Sequence, residues 1–269
     1  SNSYCLGEER SFIGIYMLER IYKDFKKYFH YSIISARSQL KSEVASSYLN
    51  WIWWILEPLS FMLIYTFIFG YVFNSREPFF PVFIFIGIAM WDFFNRTIMI
   101  SIKIVKNNKG IVSKIYLPKY ILVLTKIWVN GFKMLISFGI VLLMMTFYHV
   151  RLSWNILLFF PILSILGIIT FGCSCFLLHF GVYVEDLANV MTIVLRFLFY
   201  LTGIFYNVDT KLPAPYGDFI AQWNPIAFLL QSMRKILLYA QLPNIFLLLF
   251  WGAIGIFIAL GAIQLIYKK

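Results

Sequence analysis

The sequence predicts an all-α integral membrane protein. Of its 269 residues, 61% are hydrophobic and only 13% are charged, and the mean hydropathy is +0.79. Soluble domains are typically about 45–50% apolar and about 25% charged. The apolar residues also occur in runs of about 20, the length that an α-helix needs to cross the hydrocarbon core of a bilayer. Composition and run length therefore predict the same class.

Six apolar runs meet this length test, and they divide the chain into a cytoplasmic lead, residues 1–50, and a transmembrane domain, residues 51–266. The predicted spans lie at about 51–73, 81–102, 120–147, 156–180, 190–206 and 244–266. The chain between the last two spans is too polar and proline-rich to cross a membrane, yet too apolar for a free loop. We expect two short re-entrant helices at about 211–240, with their backbone covered by protein.

Basic residues predict the orientation of these spans. Residues 1–50 carry seven Lys and Arg residues, and residues 103–119 carry five lysines without an acidic residue. The loops on the opposite side carry five basic residues, Arg76, Arg151, Lys211, Arg234 and Lys235. The positive-inside rule therefore places both termini in the cytoplasm. Topology also explains the net charge of +11, so we expect no nucleic-acid partner.

The last part of the lead, residues 18–50, mixes apolar and basic residues at helical spacing. Ile21, Phe25, Phe29 and Ile33 recur every four residues among lysines and arginines. This pattern predicts an amphipathic helix that lies in the cytoplasmic interface and leads into the first span. A simple basic tail is the alternative.

Ionisable residues inside predicted spans are the first candidates for function, because an unpaired charge at the bilayer centre costs about 2.5–3.5 kcal/mol. Glu57, Lys126 and Arg196 each lie about six residues into a span, so they are expected to meet at one depth. The full set comprises these three residues with Asp92, Arg96 and Lys133, and with Trp51 and Trp54 in the cytoplasmic aromatic belt. Two hypotheses remain open: a structural charge network, and a water-filled translocation path.

The chain lacks the motifs of an enzyme. It contains no G-x-x-x-x-G-K-[ST] phosphate loop, so we expect it not to bind ATP. Its three histidines are isolated, and Cys173 and Cys175 are expected to be packing residues rather than ligands. Glu185 and Asp186 form the nearest approach to a catalytic cluster. The sequence therefore predicts no catalytic residue, no metal site and no cofactor in this chain.

Four short motifs resemble those of a known family. Residues 48–58, YLNWIWWILEP, are similar to Y-L-G-x-x-W-x-x-L-x-P at the start of the first span, with Asn50 in place of Gly. Residues 110–118, GIVSKIYLP, resemble the cytoplasmic loop after the second span, and Glu185-Asp186 stands where that family has Arg-Asp. The outer motifs L-P, N-P and R correspond to Leu212-Pro213, Asn224-Pro225 and Arg234. Over about residues 20–266, the chain resembles the membrane subunit of type-2 ABC exporters, in the branch that exports O-antigen, capsule or teichoic acid.

The resemblance implies a homodimeric channel in the bacterial inner (plasma) membrane for a lipid-linked glycan or glycan-like polymer. ATP and Mg²⁺ would bind separate ATPase subunits on the cytoplasmic face. The implied ATPase-coupling loop comprises Lys106, Lys109, Gly110, Ile111, Val112, Ser113, Lys114 and Pro118. The implied re-entrant gate comprises Pro213, Trp223, Asn224, Pro225 and Arg234.

Three alternatives to this function remain. A drug or lipid exporter of the same superfamily would share the topology. A membrane-embedded glycosyl or acyl transferase would depend on Glu185 and Asp186 and would act without a partner. An ion channel would conduct without ATP.

Overall fold

The structure, a computed structural model, describes residues 2–46, 49–73, 77–112, 114, 116–151, 153–207 and 216–267. Every regular element in this part of the chain is helical. The α-helices are α1 (Asn2–Ser46), α2 (Asn50–Tyr65), α3 (Phe80–Asn107), α4 (Lys109–Val112), α5 (Lys119–Phe147), α6 (Phe159–Gly181), α7 (Leu187–Leu201), α8 (Tyr216–Trp223), α9 (Pro225–Leu237) and α10 (Ile245–Tyr267). Helix α2 continues as a π-helical segment, Thr66–Val72, and a 3₁₀ turn, Trp154–Leu158, precedes α6.

Five helical segments are long and apolar enough to cross a membrane, which confirms the all-α membrane class. They are Asn50–Val72, Phe80–Asn107, Lys119–Phe147, Trp154–Gly181 and Ile245–Tyr267. At the predicted fifth span, about 190–206, the structure has α7, an apolar helix of 15 residues. Because 15 residues extend about 22 Å, α7 is shorter than a hydrocarbon core of about 30 Å.

Helix α1 is longer than the amphipathic helix predicted from residues 18–50, since it begins at Asn2 and runs for 45 residues. One of its faces packs on α5. Ile21, Ser32 and Ala36 are buried on this face, and the ring of Phe29 lies 5.8 Å from the ring of Trp128. The lead therefore lies along the bundle and contributes side chains to it.

Helix α3 is the centre of the bundle. In its most apolar 18-residue window 72% of the residues are buried, against 11% in the window of Asn50–Val72. Phe83 and Ile86 of α3 are fully enclosed by side chains of the surrounding helices. The contrast shows that α2 stands at the edge of the bundle, where one face is open.

Small residues set the closest helix contacts. A Cβ at Gly172 of α6 would lie 2.9 Å from the backbone nitrogen of Ala259 in α10. A Cβ at Gly181 would overlap the carbonyl oxygen of Ile102 in α3. Glycine allows these backbones to approach, as is usual for helices that associate in a membrane.

Candidate functional site

A charged cavity of about 250 Å³ lies between the end of α1 and helices α2, α3 and α5. In it, Arg96 Nη2 lies 2.7 Å from Glu57 Oε1 and 3.6 Å from Asp92 Oδ2. These side chains are 40%, 43% and 32% exposed, so the cavity is open rather than sealed. The glutamate inside the first predicted span thus has a cationic partner on the next helix.

The lead segment supplies the partners of the two lysines of α5. Lys133 Nζ lies 2.7 Å from Glu43 Oε2 and 5.1 Å from the centre of the Trp54 ring. Lys126 Nζ donates a hydrogen bond of 2.7 Å to Gln39 Oε1. Sequence reasoning omitted Gln39 and Glu43 from the site. Their spacing, i and i+4 on α1 opposite i and i+7 on α5, is the signal that could have identified them.

Arg196 belongs to a second cavity, of about 490 Å³, between α2, α3 and α7. Asn95 lines this cavity with it, and Asp92 lines both cavities. Glu57, Lys126 and Arg196 thus have different neighbours, namely Arg96, Gln39 and the second cavity, and their common depth stays a prediction. Residue counting gives the depth of a side chain, but the direction in which it points depends on how its helix packs.

An aromatic stripe runs along α2 and its π-helical continuation, and its first two rings, Phe61 and Tyr65, line the second cavity. Phe61, Tyr65, Phe69 and Phe73 follow one another at a spacing of four residues, with successive ring centroids 6.1, 6.4 and 5.6 Å apart. The ring of Phe205 lies 4.7 Å from Tyr65 and 4.5 Å from Phe69. The regular spacing is visible in the sequence, although sequence reasoning did not single out these rings.

The outer faces of α2 and α7 present large apolar side chains to the surroundings. Tyr71 is 84% exposed and Phe67 is 63% exposed on the α2 side. On α7, Ile193 and Phe197 are 72% and 65% exposed. Trp51, at the beginning of α2, is also exposed. Large exposed apolar side chains grouped in this way mark a surface that contacts lipid or another protein.

The segment predicted to be re-entrant contains α8 and α9. Asn224 begins α9, where its Oδ1 accepts hydrogen bonds from the backbone nitrogens of Ile226 and Ala227. Pro225 occupies the first helical position, which needs no backbone donor. Trp223 is exposed, and Pro213 lies outside the described residues. The N-P motif therefore acts locally as a helix start.

Arg234 of α9 is fully buried and donates hydrogen bonds to three backbone carbonyls. Its Nε and Nη2 donate to Phe83 O at 3.1 and 3.0 Å, Nη1 donates to Gly203 O at 2.8 Å, and Nη2 also donates to Ile204 O at 2.8 Å. The guanidinium carbon lies 3.3 Å from the centre of the Phe83 ring. One side chain thus joins α9, the beginning of α3 and the turn after α7.

The loop after α3 contains the residues predicted to contact the ATPase. Lys109 and Gly110 are exposed at the beginning of the short helix α4, and Lys114 is exposed beyond it. Pro118 is buried at the beginning of α5, and Lys106 Nζ lies 3.5 Å from Glu185 Oε1 in the loop after α6. Ile111 and Val112 complete α4. Ser113 lies outside the described residues.

The same end of the bundle is joined to α1. Arg20 Nη2 donates a hydrogen bond of 2.9 Å to Tyr116 Oη, which raises the pKa of the guanidinium. Tyr28 Oη donates to the carbonyl of Tyr116 at 3.2 Å, and Tyr267 Oη donates to Asp24 Oδ2 at 2.6 Å. Helix α1, the loop after α3 and the end of α10 therefore form one connected surface.

Comparison with known proteins gives the family. The sequence pattern of the family described as "ABC-2 type transporter" matches residues 32–238. The O-antigen export system permease protein RfbA of Myxococcus xanthus is 23% identical over 247 residues, which cover 88% of this chain and 95% of the relative. An O-antigen export permease RfbA of Klebsiella pneumoniae is 27% identical over 205 residues, covering 76% and 78% of the two chains. The polysialic acid transport protein KpsM of Escherichia coli is 22% identical over 217 residues, covering 73% and 77%. The family pattern spans most of the chain, including the charged cavity, the aromatic stripe and Arg234, and so this multi-pass membrane protein is a member of the ABC-2 type transporter family.

Proposed function

We propose that this chain is the membrane subunit of an ATP-driven exporter that carries a lipid-linked surface polysaccharide, O-antigen-like, capsular or teichoic, out of the cytoplasm. The observation that carries the proposal is the aromatic stripe of α2, which lies beside the cavity of about 490 Å³ that Arg196 and Asn95 line. Sugars present both apolar ring faces and hydroxyl groups. Aromatic rings beside a few polar side chains can contact both without requiring one sequence of sugars.

The relatives support a polysaccharide as cargo. Two of them are O-antigen export permeases and a third is a polysialic acid transport protein. The names of these relatives share one chemical class of cargo, a long glycan. The superfamily alternative of a drug exporter has no such support from the three relatives.

We further propose that two copies form the channel, with α2 and α7 facing each other across it. The exposed apolar faces of these helices would then be buried against the second copy. In this arrangement α7 and the turns after it make the fifth crossing, α8 and α9 form the re-entrant pair, and both termini are cytoplasmic in the bacterial inner membrane. Oxidative cross-linking tests the interface: Phe197→Cys on α7 should give dimers, whereas Phe257→Cys on the exposed face of α10 should not.

ATP hydrolysis is assigned to separate ATPase subunits, which bind ATP and Mg²⁺. Their contact would lie on the exposed loop around Lys109, Lys114 and Tyr116 and on the adjoining part of α1. Because Arg20 and Tyr28 bond to Tyr116, a push on the loop would also move α1. Transport requires that the ATPase contact this loop and α1 differently before and after it hydrolyses ATP.

Complementation of a deletion strain tests the function. We expect loss of this chain to leave the polymer inside the cell, and Phe61→Ala to lower surface polymer several-fold because Phe61 lines the second cavity. Phe257→Ala is the matched control, since this ring is 80% exposed on α10. Unchanged surface polymer in the deletion strain would refute export. Sugar or acyl transfer by the purified chain without an ATPase would replace export with the transferase alternative.

A further inference from the structure

An apolar groove of about 1090 Å³ runs between α1, α5 and α6, away from the aromatic stripe and the α2/α7 face. Its walls include Leu40 and Val44 of α1, Leu135 of α5, and Leu163 and Ile168 of α6. Its volume is slightly above that of typical small-molecule sites, about 300–1,000 Å³. Along α5 it extends from Leu124 to Leu135, or about 16 Å at 1.5 Å per residue. The groove is thus long and runs along α5.

Two glycines leave the floor of the groove open. A Cβ at Gly167 of α6 would meet no atom within 4 Å, and one at Gly131 of α5 would meet only Phe93 Cε2, at 3.8 Å. Both glycines line the groove. Among the described residues no side chain fills this space, so a long apolar ligand fits it without displacing the protein.

Two cations stand within the α1 wall of the groove. Arg37 and Lys41 line it from α1, one helical turn apart, and both are exposed. No Asp or Glu is among the lining residues, and within the part of the chain that the structure describes neither cation forms an ion pair. Glu43, the nearby carboxylate of α1, is bound to Lys133 instead. The groove therefore combines an apolar slot with two cations that lack a carboxylate partner.

We propose that this groove binds an anionic phospholipid of the bilayer, with an acyl chain between α5 and α6 and the headgroup phosphate at Arg37 and Lys41. The charge pattern matches an anionic headgroup, and the slot matches a hydrocarbon chain. The lipid would fill the gap between α1 and the bundle and so help to hold α1 against α5. The groove shares no lining residue with the second cavity beside the aromatic stripe, whereas Trp54, Phe93 and Met134 line both the groove and the charged cavity.

Native mass spectrometry of the purified full-length chain tests this site. Phosphatidylglycerol and phosphatidylcholine are titrated separately, and we expect tighter binding of phosphatidylglycerol. Because a Lys or Arg near a membrane surface contributes about 1 kcal/mol towards anionic lipid, the double variant Arg37→Gln, Lys41→Gln should weaken phosphatidylglycerol binding by about 30-fold. The same variant should leave phosphatidylcholine binding nearly unchanged.

Filling the groove tests its location. Gly167→Leu places a side chain on the floor and should abolish tight binding of phosphatidylglycerol, whereas Gly139→Leu, at a glycine of α5 that is also open but lies outside the groove, should not. Gly131→Leu repeats the test from α5 and decides it if Gly167→Leu does not fold. Equal affinity for the two phospholipids, or wild-type binding by the filled variants, would overturn the proposal. So would displacement of phosphatidylglycerol by an equal concentration of undecaprenyl phosphate, because the occupant would then be an isoprenoid lipid.

Discussion

Replacing Arg234 by alanine removes the side chain that joins α9 to α3 and to the turn after α7. The guanidinium donates four hydrogen bonds to three carbonyls, those of Phe83, Gly203 and Ile204. Phe83 lies in the first turn of α3 and keeps its intrahelical donor, so the carbonyls of Gly203 and Ile204 lose theirs, at about 1–3 kcal/mol each. The cavity left by the large buried side chain costs about 2–5 kcal/mol more. Keeping the guanidinium cation buried away from water has its own cost, so its removal offsets this loss of stability by several kcal/mol. We expect the variant to lose about 3 kcal/mol of the free energy of unfolding.

Thermal unfolding of the full-length chain in one detergent, followed by tryptophan fluorescence, measures this loss. A change of 1 kcal/mol shifts the midpoint by about 2–4 °C in a chain of this size, so the expected drop is about 6–12 °C. Arg234→Lys keeps the charge but not the planar fork of donors, and should give an intermediate drop. Arg151→Ala, at an exposed arginine, is the control and should stay near the wild type. A midpoint for Arg234→Ala within about 2 °C of the wild type would refute the reasoning, since the carbonyls of Gly203 and Ile204 would then have other partners.

Four further predictions use the same thermal assay, the yield of folded chain in membranes, or an ATPase assay. Gly87→Ala should lower stability by about 1–3 kcal/mol, because its Cβ would lie 2.9 Å from Arg234 Nη2; Gly139→Ala, in open space, should not. Gly181→Ala should remove most of the folded chain from membranes, because its Cβ overlaps the backbone of Ile102 and forces α3 away from α6; normal yield would contradict this close contact. Glu57→Gln should change stability by less than about 1 kcal/mol, since its pair with Arg96 is half exposed, whereas Arg96→Ala should cost more by leaving Glu57 and Asp92 without their cation. Lys114→Glu and Pro118→Ala should lower ATP turnover of the complex with its ATPase while leaving phosphatidylglycerol binding intact; unchanged turnover would remove this loop from the coupling contact.

The helices of the long spans could be predicted from the sequence because their signal is local. An apolar run of about 20 residues is sufficient to identify α3, α5, α6 and α10. The observed bounds of these helices lie within a few residues of the expected spans. The exception is α3, which extends further into the lysine-rich loop. The end of α7 is different. Gly203 has a φ of 73°, a left-handed conformation that favours glycine, and Arg234 binds its carbonyl. Gly203 directly follows the C-cap Thr202, a position where glycine is a local signal for the end of a helix, although the predicted span ran past it to about 206. The bond from Arg234, 31 positions away, then fixes this turn.

The candidate site could be predicted only in part. The intramembrane charges were recognisable because each is costly without a partner, and Asp92 and Arg96 share a helix face as their spacing indicates. The partners of the two lysines of α5 could be matched by spacing only after it is known that α1 packs on α5. Glu43 and Gln39 come from the lead, and their contact with Lys133 and Lys126 depends on how α1 inclines against α5. Residue counting supplies no such angle.

The two kinds of cation in this bundle differ in how much a movement would cost. Arg234 is fully buried on three carbonyls, so separating α9 from α3 would leave several polar groups without partners. Arg96 is 40% exposed beside two carboxylates, and exchanging such a partner for water costs about 0–1 kcal/mol. A displacement that begins at the loop joined to α1 would therefore be absorbed at the charged cavity between α1, α2 and α5. The contact of α9 with α3 would stay fixed, and we expect α2, with its aromatic stripe, to be the helix that moves when transport occurs.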